Sequence, residues 1–170
     1  MSKADTHLQA VQVASAAPSY QCWSKKGNHI ILLSCPIRTA FSCHLFLSAK
    51  VYIADRDVTG ANAFADELNT SSDSKVAFAA QVDVTSWDQQ VAAWDKAVKE
   101  FGRVDYVFPI AGINERAWIP NDPSSKSWAK PELGVLDADV NGVLYTVALA
   151  VQQFRRQEPQ HGFRGKSEFV

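Results

Sequence analysis

The 170-residue sequence is poor in glycine and in sulfur, and neither charge sign prevails. It has eight glycines, one methionine, three cysteines, and 17 basic against 18 acidic side chains. A net charge of −1 gives no electrostatic attraction to nucleic acid or to an anionic membrane. Cys22, Cys35 and Cys43 form no CxxC pair, and an odd count cannot close a disulfide framework, so free thiols in the cytoplasm are expected. Cys35, Cys43 and His44 lack the spacing of a metal site. Met1 to Leu8 lacks the apolar core of a signal peptide. Ile30 to Leu47 follows Lys25-Lys26, but Pro36, Arg38 and His44 interrupt it, short of the ~20 apolar residues of an anchor. No membrane partner is expected. No glycine lies between Gly27 and Gly60.

What is present is a 46% hydrophobic, 21% charged chain, suited to one globular domain. Residues 1–27 are rich in Ala, Ser and Gln without a firm period and read as an arm. His29 to Ser34 and Val51 to Ala54 read as buried strands. Ala61, Phe64, Ala65 and Leu68 share one helix face, Asn69 to Ser74 is a polar turn, and Val76 to Val82 is the next strand. Ser86 with Gln89 has capping-box spacing, and Gly102 suits a C-terminal cap. Between them Trp87, Val91, Trp94, Val98 and Phe101 form a stripe expected to pack in the core. Val104 to Ile110 is a strand, and the prolines of 115–131 mark an irregular excursion. Leu136, Val140, Val143, Leu144, Val147, Val151 and Phe154 predict a long amphipathic helix ending at the solvated Arg155-Arg156. Residues 157–170 read as an irregular tail.

Alternating strands and helices, with strands apolar on both faces, predict an α/β fold with a parallel sheet covered on both sides. Asp55, Asp83 and Ala111-Gly112 then fall just after three successive strands, at the edge where such sheets bind ligands. Asp55 is placed to accept hydrogen bonds from both hydroxyls of an adenosine ribose and to repel a 2′-phosphate. Arg56 beside it could instead pair with that phosphate. Asp83 could hold an adenine amino group while the backbone near Val84 faces the ring, and Gly112 admits close approach to the backbone. Each has a plainer alternative: Asp55 as turn or helix cap, Asp83 as the turn before a helix, Gly112 as a strand-to-loop turn.

Val51-Tyr-Ile-Ala-Asp-Arg-Asp57, Val82-Asp-Val-Thr85, Phe101 to Ile113 and Leu136 to Tyr145 together resemble the short-chain dehydrogenase/reductase family, over about residues 51–156. The branch they resemble contains hydroxyprostaglandin-type dehydrogenases and enzymes of lipid or polyketide metabolites. The resemblance implies a Rossmann-like doubly wound sheet over 28–156, here incomplete, as in the N-terminal half of such an enzyme. It implies NAD as cofactor, with NADP an alternative, and exchange between a secondary alcohol and a ketone on a small-molecule substrate. It assigns Asp55 to the ribose, Asp83 and Val84 to the adenine, and Ala111-Gly112 to the neighbourhood of the nicotinamide ribose.

The departures from the family pattern are large. Leu33 to Ala40 stands where the family has a Thr-Gly-x-x-x-Gly-x-Gly loop, and it contains no glycine. Pro36 removes a donor where phosphate would want one. None of Tyr20, Tyr52, Tyr106 and Tyr145 is followed four residues later by the lysine that lowers the phenol pKa in the family's Tyr-x-x-x-Lys pair. Pro109-Ile110 replaces the Asn-Asn of the family's Asn-Asn-Ala-Gly motif, and Pro109 cannot donate to a central ladder. Asp139 takes the place of the family's helix asparagine, with Asn141 two residues late, and neither is assigned a catalytic role. No catalytic residue is therefore assigned, and a chain that does not catalyse by itself is expected. The abrupt change near residues 45 and 157 suggests a retained intron or frame shift at both borders. The alternative is a non-catalytic module that associates, as a homo-oligomer, through the exposed stripes of 86–101 and 136–154.

Overall fold

A computed structural model describes residues 29–33, 49–114, 117, 119, 122–160 and 162–167. Five parallel strands form one sheet in the order β3-β2-β1-β4-β5: β1 His29–Leu33, β2 Lys50–Asp55, β3 Ala77–Gln81, β4 Tyr106–Pro109 and β5 Lys166–Ser167. The chain builds outward from β1 to β3, then returns to the other side of β1 for β4. Two helices join these strands, α1 Val58–Thr70 and α2 Trp87–Phe101, and a third, α3 Gly134–Arg156, links β4 to β5. This is the doubly wound α/β fold expected. The predicted arm at 1–27, and the glycine-free segment 34–40, lie outside the described residues.

Alternation along each strand divides the core in two. Val51, Ile53, Tyr106 and Phe108 pack with Ala61, Ala65 and Leu68 of α1. Tyr52, Ala54 and Val107 pack instead with Ala93, Trp94, Ala97 and Phe101 of α2 and with Ala150 of α3. Both faces of the strands are thus buried, which is why their sequences lack a polar side.

Local signals account for the helix ends. Asp57 caps α1, its Oδ1 accepting from the N–H groups of Thr59 and Gly60 at 3.1 Å each. Ser86 Oγ accepts from Gln89 N at the start of α2, and Gly102, at φ 78°, closes it with its N–H on Val98 O. The capping box is only half formed, because Gln89 Oε1 accepts from Asp83 N at 2.9 Å instead of from Ser86. The expected polar turn after α1 is organised by Asn69, whose side chain accepts from Val76 N and Ala77 N and donates to Ala77 O.

Three expectations need correction. The stripe of α2 is centred on Gln90, Ala93, Trp94, Ala97 and Phe101, while Trp87 is 40% exposed and makes a T-shaped contact with Tyr145. In α3 the buried residues are Ala138, Gly142, Thr146 and Ala150, and the apolar Leu136, Val140, Leu144 and Val151 are exposed. Small side chains every fourth residue let α3 approach closely: a Cβ on Gly142 would lie 2.9 Å from Val84 Cγ2. Finally, the described residues between Gln157 and Ser167, read as irregular, return to the sheet and end in β5. Gln157 is buried and accepts from Val104 N at 3.2 Å while donating to Val104 O at 2.6 Å and to Arg164 O. Gln160 and Phe163 exchange backbone hydrogen bonds, and Lys166 N donates to Asp105 O as β5 joins β4. Those polar residues satisfy backbone groups that the edge of β4 would otherwise leave open.

Among the described residues, α3 is the one helix long and apolar enough to cross a membrane, by length and composition alone.

Candidate functional site

The C-terminal ends of the strands are level. Leu33 lies opposite Ala54 on one side and Pro109 on the other, and Asp55 lies opposite Gln81. The residues singled out from the sequence therefore line one edge of the sheet, in the order Asp83-Val84, Asp55, then Ala111-Gly112 beyond β1. With strands ~4.8 Å apart, that edge spans about 14 Å from β3 to β4. Among the described residues no side-chain hydrogen bond joins one of the five to another; what they share is the edge. Pro109 ends β4, where a missing N–H disturbs the ladder least.

Each position is held differently. Asp55 is half-buried, its Oδ1 accepting from Asp57 N at 2.7 Å, and among the described residues Oδ2 has no partner. Arg56 is exposed beside it. Asp83 Oδ1 accepts from Thr85 Oγ1 at 2.7 Å and Thr85 N at 2.9 Å. These two bonds, helped by the charge of Arg56 against a small opposing effect of burial, hold the Asp83 carboxyl below the usual carboxylate range. Val84 is half-buried, and its carbonyl accepts from Gln90 Nε2 at 2.7 Å.

Ala111 and Gly112 follow β4, with Gly112 exposed. Asp139, on α3, accepts from Ile113 N at 2.9 Å through Oδ1, and a Cβ on Gly112 would lie 3.3 Å from that same oxygen. Asp139 stands in a π-helical segment, Asp137–Gly142, inside α3. Such bulges are enriched at functional sites.

The sequence reading missed Gln90 and passed over Asp139 and Gly142. The clue available was a polar Gln90 within the apolar period of α2; nothing local told that it is fully buried. A depression of about 230 Å³ lies elsewhere, beside the first half of β3, lined by Tyr52, Asn62, Lys75, Lys96 and Glu100. It is not part of the strand-end edge. Among the described residues no group of His, Cys, Asp or Glu is placed to hold a metal ion.

A parallel sheet in this strand order, with a carboxylate at the end of β2 and a glycine shortly after β4, defines the class of doubly wound dinucleotide-binding folds. The family model for short chain dehydrogenase matches residues 41–162, and the chain belongs to that family. It is 32% identical over 88 residues to the short-chain dehydrogenase/reductase prx7 of Penicillium rubens, covering 48% of this chain and 31% of that protein. It is 28% identical over 116 residues to the short-chain dehydrogenase/reductase ascJ of Acremonium egyptiacum, covering 67% of this chain and 36% of that protein. The chain thus spans about a third of the length of these curated relatives. Among solved structures, it resembles the 3-ketoacyl-(acyl-carrier-protein) reductase of Brucella melitensis complexed with NADH, with TM-score 0.57 and 23% identity over 77% of this chain and 51% of that one. The NADPH-dependent 3-quinuclidinone reductase of Rhodotorula rubra gives TM-score 0.68 and 17% identity over 96% of this chain and 58% of that one. These likenesses show the fold.

Proposed function

We propose that these residues form the nucleotide-binding half of an oxidoreductase that interconverts a secondary alcohol and a ketone, with NAD as the preferred cofactor and NADP as the alternative. The observation that carries this reading is the level strand edge with Asp55 ending β2. An acceptor with one oxygen tied to Asp57 N and the other unengaged among the described residues suits two vicinal ribose hydroxyls. The same charge opposes a 2′-phosphate, while exposed Arg56 leaves a route to NADP. On this reading Asp83 and Val84 bind the adenine, and Ala111-Gly112 offer backbone to the nicotinamide ribose. The cofactor, when bound, supplies or accepts the hydride.

The proton step needs a partner outside this set. No Tyr-x-x-x-Lys pair is present in the 170 residues, and no described side chain at the edge replaces it. We therefore read the chain as binding cofactor without completing the reaction. The resemblance to enzymes of lipid or polyketide metabolites supports a substrate of that kind and a cytoplasmic role in secondary metabolism.

The test is a fluorescence titration of the chain with NADH and NADPH. Saturation by NADH at lower concentration than NADPH, with the ratio narrowed in Asp55→Ala, is expected. A flat NADH signal to millimolar concentration overturns the reading.

One observation favours a second reading, a non-catalytic module that self-associates. Leu136, Val140, Leu144 and Val151 leave an apolar face of α3 uncovered. Light scattering decides it: a monodisperse monomer eliminates association through this face.

A further inference from the structure

Among the described residues, buried side-chain hydrogen bonds gather in two places, around Gln157 and at the joint between α2 and α3. Gln90 is wholly inaccessible to solvent. Its Nε2 donates to Val84 O at 2.7 Å and to Gly142 O at 3.0 Å, and its Oε1 accepts from Thr146 Oγ1 at 2.9 Å. A primary amide has two N–H donors and one carbonyl acceptor, and here each has a partner on a different stretch of backbone or side chain. Val84 lies in the turn between β3 and α2, and Gly142 is the last residue of the π-helical segment. The Gly142 carbonyl is thus gripped where the wide turn gives way to regular α-helix. That segment carries Asp139, whose Oδ1 takes the Ile113 N–H.

We infer that Gln90 is a positioning residue: by tying Gly142 O to Val84 O it pins the bulge of α3, so that Asp139 holds the Gly112-Ile113 backbone at a fixed offset from Val84. The physical reason is angular. Removing one residue from a helical turn rotates everything before it by about 100° around the axis. An untethered bulge that relaxed to α-helix would therefore swing Asp139 away from Ile113. The consequence for cofactor rests on the reading proposed above, because the offset is the distance between its adenine and nicotinamide contacts. The consequence for the backbone does not.

The experiment measures amide hydrogen exchange and NADH affinity on the full chain and its variants. In Gln90→Leu, exchange at Ile113 is expected to rise about tenfold while Val107 in β4 and Ala65 in α1 keep their rates, and NADH affinity to fall about tenfold. Thr146→Val removes the hydroxyl that lies 2.9 Å from both Gln90 Oε1 and Gly142 O, and so loosens the same joint without cutting the Gln90 amide; it is expected to shift Ile113 in the same direction by about threefold and decides the matter if Gln90→Leu does not fold. Asp139→Asn keeps the acceptor and is expected to leave Ile113 protected, whereas Asp139→Ala exposes it. An unchanged Ile113 amide in folded Gln90→Leu or Thr146→Val overturns the proposal. So does a rise shared equally by Ile113, Val107 and Ala65, which would mean Gln90 acts only on global stability. If the unmodified chain binds no NADH, the cofactor reading alone fails and the exchange rates still judge Gln90.

Discussion

The two sides of the strand-end edge are built by opposite means. On the Asp55 and Asp83 side, each carboxylate is fixed by hydrogen bonds that span two residues, to Asp57 and to Thr85. On the Gly112 side, the bond from Ile113 to Asp139 spans 26 residues, and those from Gln90 to Gly142 and Thr146 span 52 and 56. Local turns form as soon as a strand and the following residues are in place. Long-range bonds wait for α3 to dock, after a costlier loop closure. One side of the edge is therefore set by its own sequence, and the other is set by packing of a distant helix.

The sharpest way to break that contrast is to disturb the docking of α3 against Val84 while leaving Asp55, Asp83 and Asp139 in place. Gly142→Val places a branched side chain where Val84 Cγ2, Cβ and O lie 2.9, 3.1 and 3.2 Å from a first carbon. A loss of about 2–3 kcal/mol in urea unfolding is expected, more than the fraction of a kcal/mol valine gains over glycine as a helix former. Ile113 should lose exchange protection as well. A neutral outcome would mean that α3 does not approach the β3–α2 turn closely. The complementary variant is Asp57→Ala, which removes the acceptor of Thr59 and Gly60 at the start of α1. About 1 kcal/mol is expected there, with Ile113 exchange unchanged. If Asp57→Ala also loosens Ile113, the two sides are coupled and the contrast fails.

The same division explains what could be read from sequence. The strand read at 51–54, the left-handed Gly102 and the strand-end positions of Asp55 and Asp83 are local patterns, and the structure has them, although the cap of α1 is Asp57 and not the Asp55 that the sequence offered. The buried side of α3 was not legible. Periodicity identified Leu136, Val140, Leu144 and Val151 as one face, but which face meets the protein depends on what lies opposite. Val84 leaves room there only for Gly142, so the small residues go in and the large ones stay out. Gln90 was hidden for a related reason, since a lone glutamine within an apolar stripe becomes a strut only when three acceptors and donors from elsewhere surround it. Gln157, too, draws its meaning from Val104, 53 residues earlier, which is why a polar tail composition concealed an ordered return to the sheet.

The smallest expected effect concerns Asp83, and it tests whether the local side is electrostatic as well as geometric. The Thr85 hydroxyl is the largest cause holding this carboxyl below its ordinary value of 3.8, followed by the Thr85 N–H, with a lesser contribution from Arg56. A carboxyl depressed in the folded state contributes stability that is fully present above the unfolded value and is lost as pH falls through the folded one. Thr85→Val deletes the hydroxyl and keeps the N–H, so the folded value moves back up and part of that stability goes. Because Asp83 is only half-buried, solvent weakens the effect, and a loss of under about 1 kcal/mol is expected near neutral pH. Urea unfolding of both proteins from about pH 7 into acid should show a gap near neutral pH that narrows as pH falls through the folded value of Asp83. A gap that persists in acid would assign Thr85 to packing of the turn, and the Asp83 side would then depend on shape as the Gly112 side does.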